Sequence, residues 1–244
     1  MDFKEEDKYS FHKDDDLSHP KLRAFHPVSR DWQEIQSKRL GLQVVKHNKY
    51  GPPKNYNDKS PPKDTISVRA DGNCFFRAIC VILTGAEDEH MKIREAVTKH
   101  VSDHPDMYRS FLQSRGGMSQ YLSNMRRSRE WATDVELLAT ATLLKTVIEV
   151  YFPYPVSKSE TEYRWQTFKP LTNPDITYPV IYISNKHDHF DTVLDIDDSD
   201  LTHGHGQTSS DNHGLKTNYN SIYGEPKRHE KDQKQNHSHG AITF

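Results

Sequence analysis

Between Cys74 and Leu83 the chain carries an almost unbroken apolar run. Phe75, Ala78, Ile79 and Ile82 occupy positions i, i+3, i+4 and i+7, the spacing of a helix that buries one face, and Gly85 supplies a stop. A turn-forming tripeptide, Asp71, Gly72 and Asn73, comes immediately before it. The segment is therefore read as a tight loop that opens directly into a buried helix, with a cysteine at the junction. Further helices are predicted over 90–102, over a broken stretch from Met107 to Leu122 interrupted at Gly116 and Gly117, and over about 134–145. The last begins with Thr133 and Glu136 in capping-box spacing, where hydroxyl and carboxylate exchange bonds with backbone N–H groups. Strands follow at Val147 to Phe152, Tyr163 to Phe168 and Tyr178 to Ser184, and a return strand runs from His189 to Leu194 after the turn composition of residues 185–188.

This periodicity is confined to residues 63–196. Residues 1–62 are polar and punctuated by proline, and read as an extension. Within it, Ser29 can cap a short helix bearing Trp32, Ile35 and Leu40, with Gly41 as its stop. That helix would sit in a loose arm, or dock on the main domain or on a partner. Gly51, Pro52, Pro53, Pro61 and Pro62 read as linker. Only eight of the last 44 residues are hydrophobic, too few for a core, so 197–244 is expected to be disordered. His203, His205, His237 and His239 lie there without metal-site spacing or second-shell support, and no metal or cofactor is expected.

Composition narrows the partners. A formal net charge of −2 gives no bulk attraction to nucleic acid or anionic membrane. No apolar run approaches the roughly 18 residues needed to cross a bilayer. Cys74 and Cys80, six residues apart on one helix, would be separated by about 9 Å of rise, beyond disulfide reach. Two free thiols fit a reducing compartment, cytosol or nucleus.

Cys74 is the first chemical candidate. Free N–H groups and the macrodipole at a helix N-terminus favour a thiolate, and the loop before it can aim backbone N–H groups at an oxyanion. From position alone, a small buried core residue explains Cys74 as well. Cys80, mid-helix, reads as core. A thiol nucleophile needs a base, and a mobile tail histidine cannot hold geometry. His189 opens a strand after a turn, and Asp191 shares its face, where a carboxylate can accept the ring N–H and fix the tautomer. His187, in the turn, is the weaker choice.

Three stretches in this order resemble the OTU (ovarian tumour) family of cysteine peptidases. Residues 70–78, centred on Asp71-Gly72-Asn73-Cys74, look like its nucleophile motif. His189-Phe190-Asp191 resembles its histidine motif, with Phe in place of the commoner Tyr. Trp131 to Ala139 is similar to its tryptophan–glutamate–leucine helix, with Ala132 where Gly is frequent, and Trp131 is read as a packing residue. Ile93, Arg94 and Tyr108 also fall where the family has its second helix and the segment after it. The resemblance implies an α+β, papain-like fold with a small mixed sheet between helical layers. It implies Cys74 as nucleophile, His189 as general base and then acid, and Asp191 as orienter, with Asp71, Gly72, Asn73 and Cys74 shaping the oxyanion loop. The implied partner is ubiquitin or a polyubiquitin conjugate, handled by a monomer without cofactor. A ubiquitin-binding module that no longer cuts, and a peptidase for another ubiquitin-like modifier, remain open.

Overall fold

A computed structural model describes residues 21–155, 161–177 and 179–198. The first twenty residues, Tyr178 and the histidine-bearing tail lie outside the described residues, as do the expectations made for them. A five-stranded sheet in the order β3-β7-β6-β4-β5 organises the remainder. Its strands are β3 (Pro62–Ile66), β4 (Val147–Pro155), β5 (Thr161–Phe168), β6 (Val180–Lys186) and β7 (His189–Ile196). β4 and β6 run parallel and every other neighbouring pair antiparallel, so the sheet is mixed.

One face of the sheet carries the helices. α2 (Cys74–Thr84) is buried along its whole length and ends at Gly85 in the left-handed region, φ 78°. Around it stand α3 (His90–Asp103), α4 (Pro105–Leu112), α5 (Gly117–Met125) and α6 (Asp134–Leu144). A 3-10 turn at Gln113–Arg115 and Gly116, φ 84°, separate α4 from α5. α6 opens with the predicted capping box, both reciprocal bonds present. Ile148, Val150, Ile181, Ile183 and Phe190 point from the sheet into this helical layer. Thr192 Oγ1 donates to the Ala78 carbonyl at 3.0 Å, tying β7 to α2.

The opposite face is closed by residues the sequence reading left outside the domain. β1 (Leu22–Phe25) and β2 (Lys54–Asn57) pair as an antiparallel ribbon. Phe25 and Tyr56, both fully buried, pack with Trp165, Tyr182, Val193 and Ile196. Burial of each such ring is worth roughly 1.5–3 kcal/mol. Arg23 reaches from the ribbon to Glu149, 2.9 Å away, and donates to the Trp165 carbonyl at 3.0 Å. The β1–β2 ribbon is thus an integral layer, and Pro62 begins β3 where a linker was expected.

α1 (Arg30–Arg39) forms behind its Ser29 cap, whose Oγ accepts from Trp32 N–H. Its buried residues are Gln33, Gln36 and Ser37, while Ile35 is exposed. Trp32 and Leu40 pack partly buried against the core, and two of the three buried polar side chains find backbone acceptors, while Gln36 Oε1 finds no donor among the described residues. Ser37 Oγ donates to the Leu83 carbonyl at 2.6 Å, and Gln33 Nε2 to the Lys46 carbonyl at 3.1 Å. Among the described residues, no helix is long and apolar enough to cross a membrane.

Candidate active site

Cys74 is the first residue of α2 and is 9% exposed. The loop before it is held from several sides. Asp71 Oδ1 accepts from Asn73 N–H at 3.1 Å, an Asx turn. Arg77, one turn into α2, grips both Asp71 oxygens, at 3.1 and 2.7 Å. That guanidinium holds the Asp71 carboxyl well below the usual carboxylate range. Gly72 adopts φ 79°, and a Cβ there would lie 2.5 Å from the Arg129 carbonyl oxygen, so the tight turn requires glycine. Asn73 precedes α2 but does not cap it with its side chain. Its Oδ1 instead accepts from Arg94 at 2.8 Å and from Arg129 N–H at 2.9 Å. The first-turn N–H groups of α2 therefore face the thiol without a side-chain cap.

β6 and β7 meet at a two-residue turn, His187 and Asp188, both in the left-handed region (φ 54° and 61°). Two positive φ values are what a tight hairpin of matching twist requires, and Asp and His tolerate them better than most residues. The turn sets Lys186 opposite His189 and Asn185 opposite Phe190. His189 Nε2 lies 3.0 Å from Asp191 Oδ1. The same oxygen accepts from Val68 N–H at 3.1 Å, so the carboxylate is anchored to the chain leading into the 71–74 loop. With Nε2 engaged, Nδ1 is the ring nitrogen left for proton exchange.

Phe75 and Phe190 meet edge to face, 5.4 Å between ring centroids, which seats the first turn of α2 on β7. Burial pushes the Cys74 thiol up from its ordinary value, and the Asp191 charge adds to this. The backbone N–H groups of Phe190, Phe75 and Cys74 itself act in the opposite direction. Among the described residues, no hydrogen bond joins the Cys74 thiol to His189. The structure thus pairs His189 with Asp191 and seats Cys74 against the backbone of the residue between them. A groove opens at Cys74, walled on one side by Trp131, Ala132 and Thr133 and on the other by Asn185, Asp188 and Phe190. Trp131, read from sequence as packing, is 55% exposed on this groove. Its wall is fixed from below by buried Glu136, whose Oε2 accepts from Thr133 N–H at 2.7 Å and whose Oε1 accepts from Tyr121 at 2.6 Å.

The profile of the OTU-like cysteine protease family matches residues 69–190, half of the chain, a span that contains the loop, the groove walls and His189. The chain belongs to this family. OVARIAN TUMOR DOMAIN-containing deubiquitinating enzyme 7 of Arabidopsis thaliana is 35% identical over 86 residues, covering 35% of this chain and 23% of that protein. OTU domain-containing protein 4 of Homo sapiens is 26% identical over 121 residues, covering 47% of this chain and 11% of the relative. The chain thus spans under a quarter of the length of these curated relatives. The solved OTUD1 OTU domain is similar at 23% identity with a TM-score of 0.46, over 54% of this chain and 85% of that one.

Two arginines that build this OTU site were not assigned a role from sequence. Arg77 sits among apolar neighbours three residues after the cysteine, and its tie to Asp71 depends on the loop folding back. Arg94, 1% exposed, links the 71–74 loop to the segment before α6. It donates to the Glu130 carbonyl at 2.7 Å as well as to Asn73, and its guanidinium lies 4.1 Å from the Phe76 ring centroid. The available signal was a charge on the buried side of a helix, beside Ile93. Cys80 is fully buried, as read from sequence. Among the described residues no group of three or more His, Cys, Asp or Glu is arranged to hold a metal ion.

Proposed function

We propose that this protein is a thiol-dependent deubiquitinase that hydrolyses isopeptide bonds at the C-terminal glycine of ubiquitin. The observation that carries the reading is the pairing of an uncapped helix N-terminus at Cys74 with the hydrogen-bonded His189–Asp191 pair, in a chain of the OTU family. His189 Nδ1 takes the thiol proton and the thiolate attacks the glycine carbonyl, forming a C–S bond. Negative charge on the oxygen is met by backbone N–H groups of the 71–74 loop, whose shape Asp71 maintains. His189 returns the proton to the lysine amine as the C–N bond breaks. Water, deprotonated by His189, then hydrolyses the thioester and restores the thiol. Asp191 fixes the imidazole tautomer throughout.

Every group in this scheme comes from one chain, which supports a monomer as the working unit. The two free thiols support a reducing compartment, cytosol or nucleus. A second reading is a module that binds ubiquitin without cutting it. A peptidase for another ubiquitin-like modifier is the third.

Reaction with ubiquitin bearing a C-terminal electrophile separates them. The expected outcome is a covalent adduct that disappears in a folded Cys74→Ala variant. Ubiquitin binding without adduct supports the silent module. Neither binding nor adduct, with reaction toward a related modifier, supports the third reading.

A further inference from the structure

Lys186 and His189 form the last pair of the β6–β7 ladder before its turn. Residues directly opposite in an antiparallel ladder share a face, with Cβ atoms about 4.5–5.5 Å apart. On the other side of β6, the parallel register of Tyr151 with Ser184, continued by two residues, brings Pro153 beside Lys186. Pro153 is paired in turn with Tyr163 on β5. His189, Lys186, Pro153 and Tyr163 thus make one row across four strands, about 14 Å long. It lies on the sheet face that the β1–β2 ribbon covers further along.

This row is open where its neighbour is closed. Behind it, Ser184, Tyr151 and Trp165 are buried. In the row itself Lys186 is exposed, and Pro153 and Tyr163 are half-buried. The Lys186 ammonium lies 6.0 Å from the Tyr151 ring centroid, which holds it on this face. Other charges nearby are matched. Lys59 and Arg164 each pair with Glu162 at 3.0 Å, and Asp191 is engaged by His189. Among the described residues no carboxylate pairs with Lys186. Within the row it carries the one fixed charge.

The chemistry decides what passes over the row. His189 must reach the departing amine to protonate it, whichever way the ubiquitin tail runs through the groove. The lysine bearing that amine enters on its four-carbon stem, so the residues on either side of it pass over the surface beside His189. There they meet an unmatched cation and two half-buried apolar rings.

We propose that Lys186 is a specificity-determining residue, whose ammonium contacts the leaving chain and favours a modified lysine flanked by acidic residues. Pro153 and Tyr163 give that chain an apolar footing. The inference rests on the deubiquitinase reading, and its test is arranged to fail separately from it.

Two substrates carry ubiquitin in isopeptide linkage to the lysine of a short peptide, flanked on both sides by Asp in one and by Arg in the other. A fluorogenic ubiquitin amide, which has no leaving peptide, reports the deubiquitinase activity itself. The readout with the full chain is the ratio of kcat/KM for the two peptides, in which a general loss of activity or folding cancels. An exposed ion pair shifts binding only a few-fold, so the expected parental ratio is about five in favour of the Asp peptide at low salt. At about 1 M salt it falls toward one, because screening then acts within about 3 Å. Lys186→Gln brings the low-salt ratio close to one and Lys186→Glu inverts it, which a merely structural role would not produce. Equal parental rates on the two peptides, a preference for the Arg peptide, or a preference that survives both substitutions overturns the inference and leaves the deubiquitinase reading standing. Cleavage of the fluorogenic amide but of neither peptide does the same. A parent that cleaves none of the three overturns both.

Discussion

Replacing Arg94 with methionine tests how far the nucleophile loop depends on a single buried cation. The guanidinium makes two short bonds, to Asn73 Oδ1 at 2.8 Å and the Glu130 carbonyl at 2.7 Å, and three weaker ones, to the Gly72 and Met125 carbonyls at 3.3 Å and to Met125 Sδ at 3.1 Å. No carboxylate salt-bridges it among the described residues, and burial lowers its pKa. Each short charged bond contributes about 1.5–3 kcal/mol, so their loss costs roughly 3–6 kcal/mol gross. Methionine recovers part of this. It avoids desolvating a charge and leaving Nε, which has no partner, buried. It also keeps a flexible apolar stem against Phe76. The net expectation is a loss of about 2–3 kcal/mol. With a urea slope of about 2 kcal/mol/M, the unfolding midpoint falls by about 1–1.5 M. Below the transition the variant is folded, but the 72–73 and 129–130 segments are no longer tied together. The rate of adduct formation with electrophilic ubiquitin should then fall about ten-fold or more. Lysine should rescue little of either effect, because one ammonium cannot span the fork. A methionine variant with parental midpoint and parental adduct rate would refute the reasoning.

The remaining predictions concern charge, base and core. Arg77 depresses the Asp71 pKa, so the stability this pair contributes is complete above the ordinary carboxylate value of about 3.9 and is lost as pH falls through the lower folded value. Asp71→Asn should therefore lower the thermal midpoint at pH 7, with the gap to the parent narrowing below about pH 4. A gap independent of pH would exclude the ion pair as its cause. Asp191→Asn should slow turnover less than His189→Ala, measured on a fluorogenic ubiquitin amide, and an unchanged rate would remove Asp191 as the orienter. Tyr56→Ala, although outside the family's matched span, should cost about 3–5 kcal/mol in urea denaturation. A loss under about 1 kcal/mol would mean that the ribbon is dispensable.

What could be read from the sequence divides by the range of the forces involved. α2, α6 and the β6–β7 hairpin carry their instructions locally: an apolar stripe with a glycine stop, a capping box, a turn between β-branched runs. The placing of Cys74 and His189 was legible for the same reason, since each opens an element marked by its neighbours, and Asp191 shares the His189 face by strand alternation. β1 is only four residues long and β2 and β3 are short and polar, so only pairing with each other or with β7 makes them strands. In α1 the Ser29 cap and the packing of Trp32 and Leu40 follow from local signals, but Ile35 is exposed and Gln33 and Ser37 are buried because they reach backbone carbonyls of other segments. Arg94 escaped because its acceptors are mostly main-chain oxygens, which any sequence supplies. Trp131 was misread because an indole beside a helix cap looks alike whether it packs inward or lines a groove.

The layer formed by the ribbon also orders events during synthesis. The N–H of His26, just past the ribbon's first strand, meets the Tyr182 hydroxyl 156 residues later, at 3.0 Å. Phe25 and Tyr56 leave the ribosome first, yet the surface that buries them is complete only when β7 has emerged. The helical layer, whose contacts are closer in sequence, can condense earlier, and the ribbon docks last. Until then the nascent chain carries two unburied aromatic rings and an unpaired sheet face, which is the interval in which it is most exposed to chaperones, to proteases and to other copies of itself.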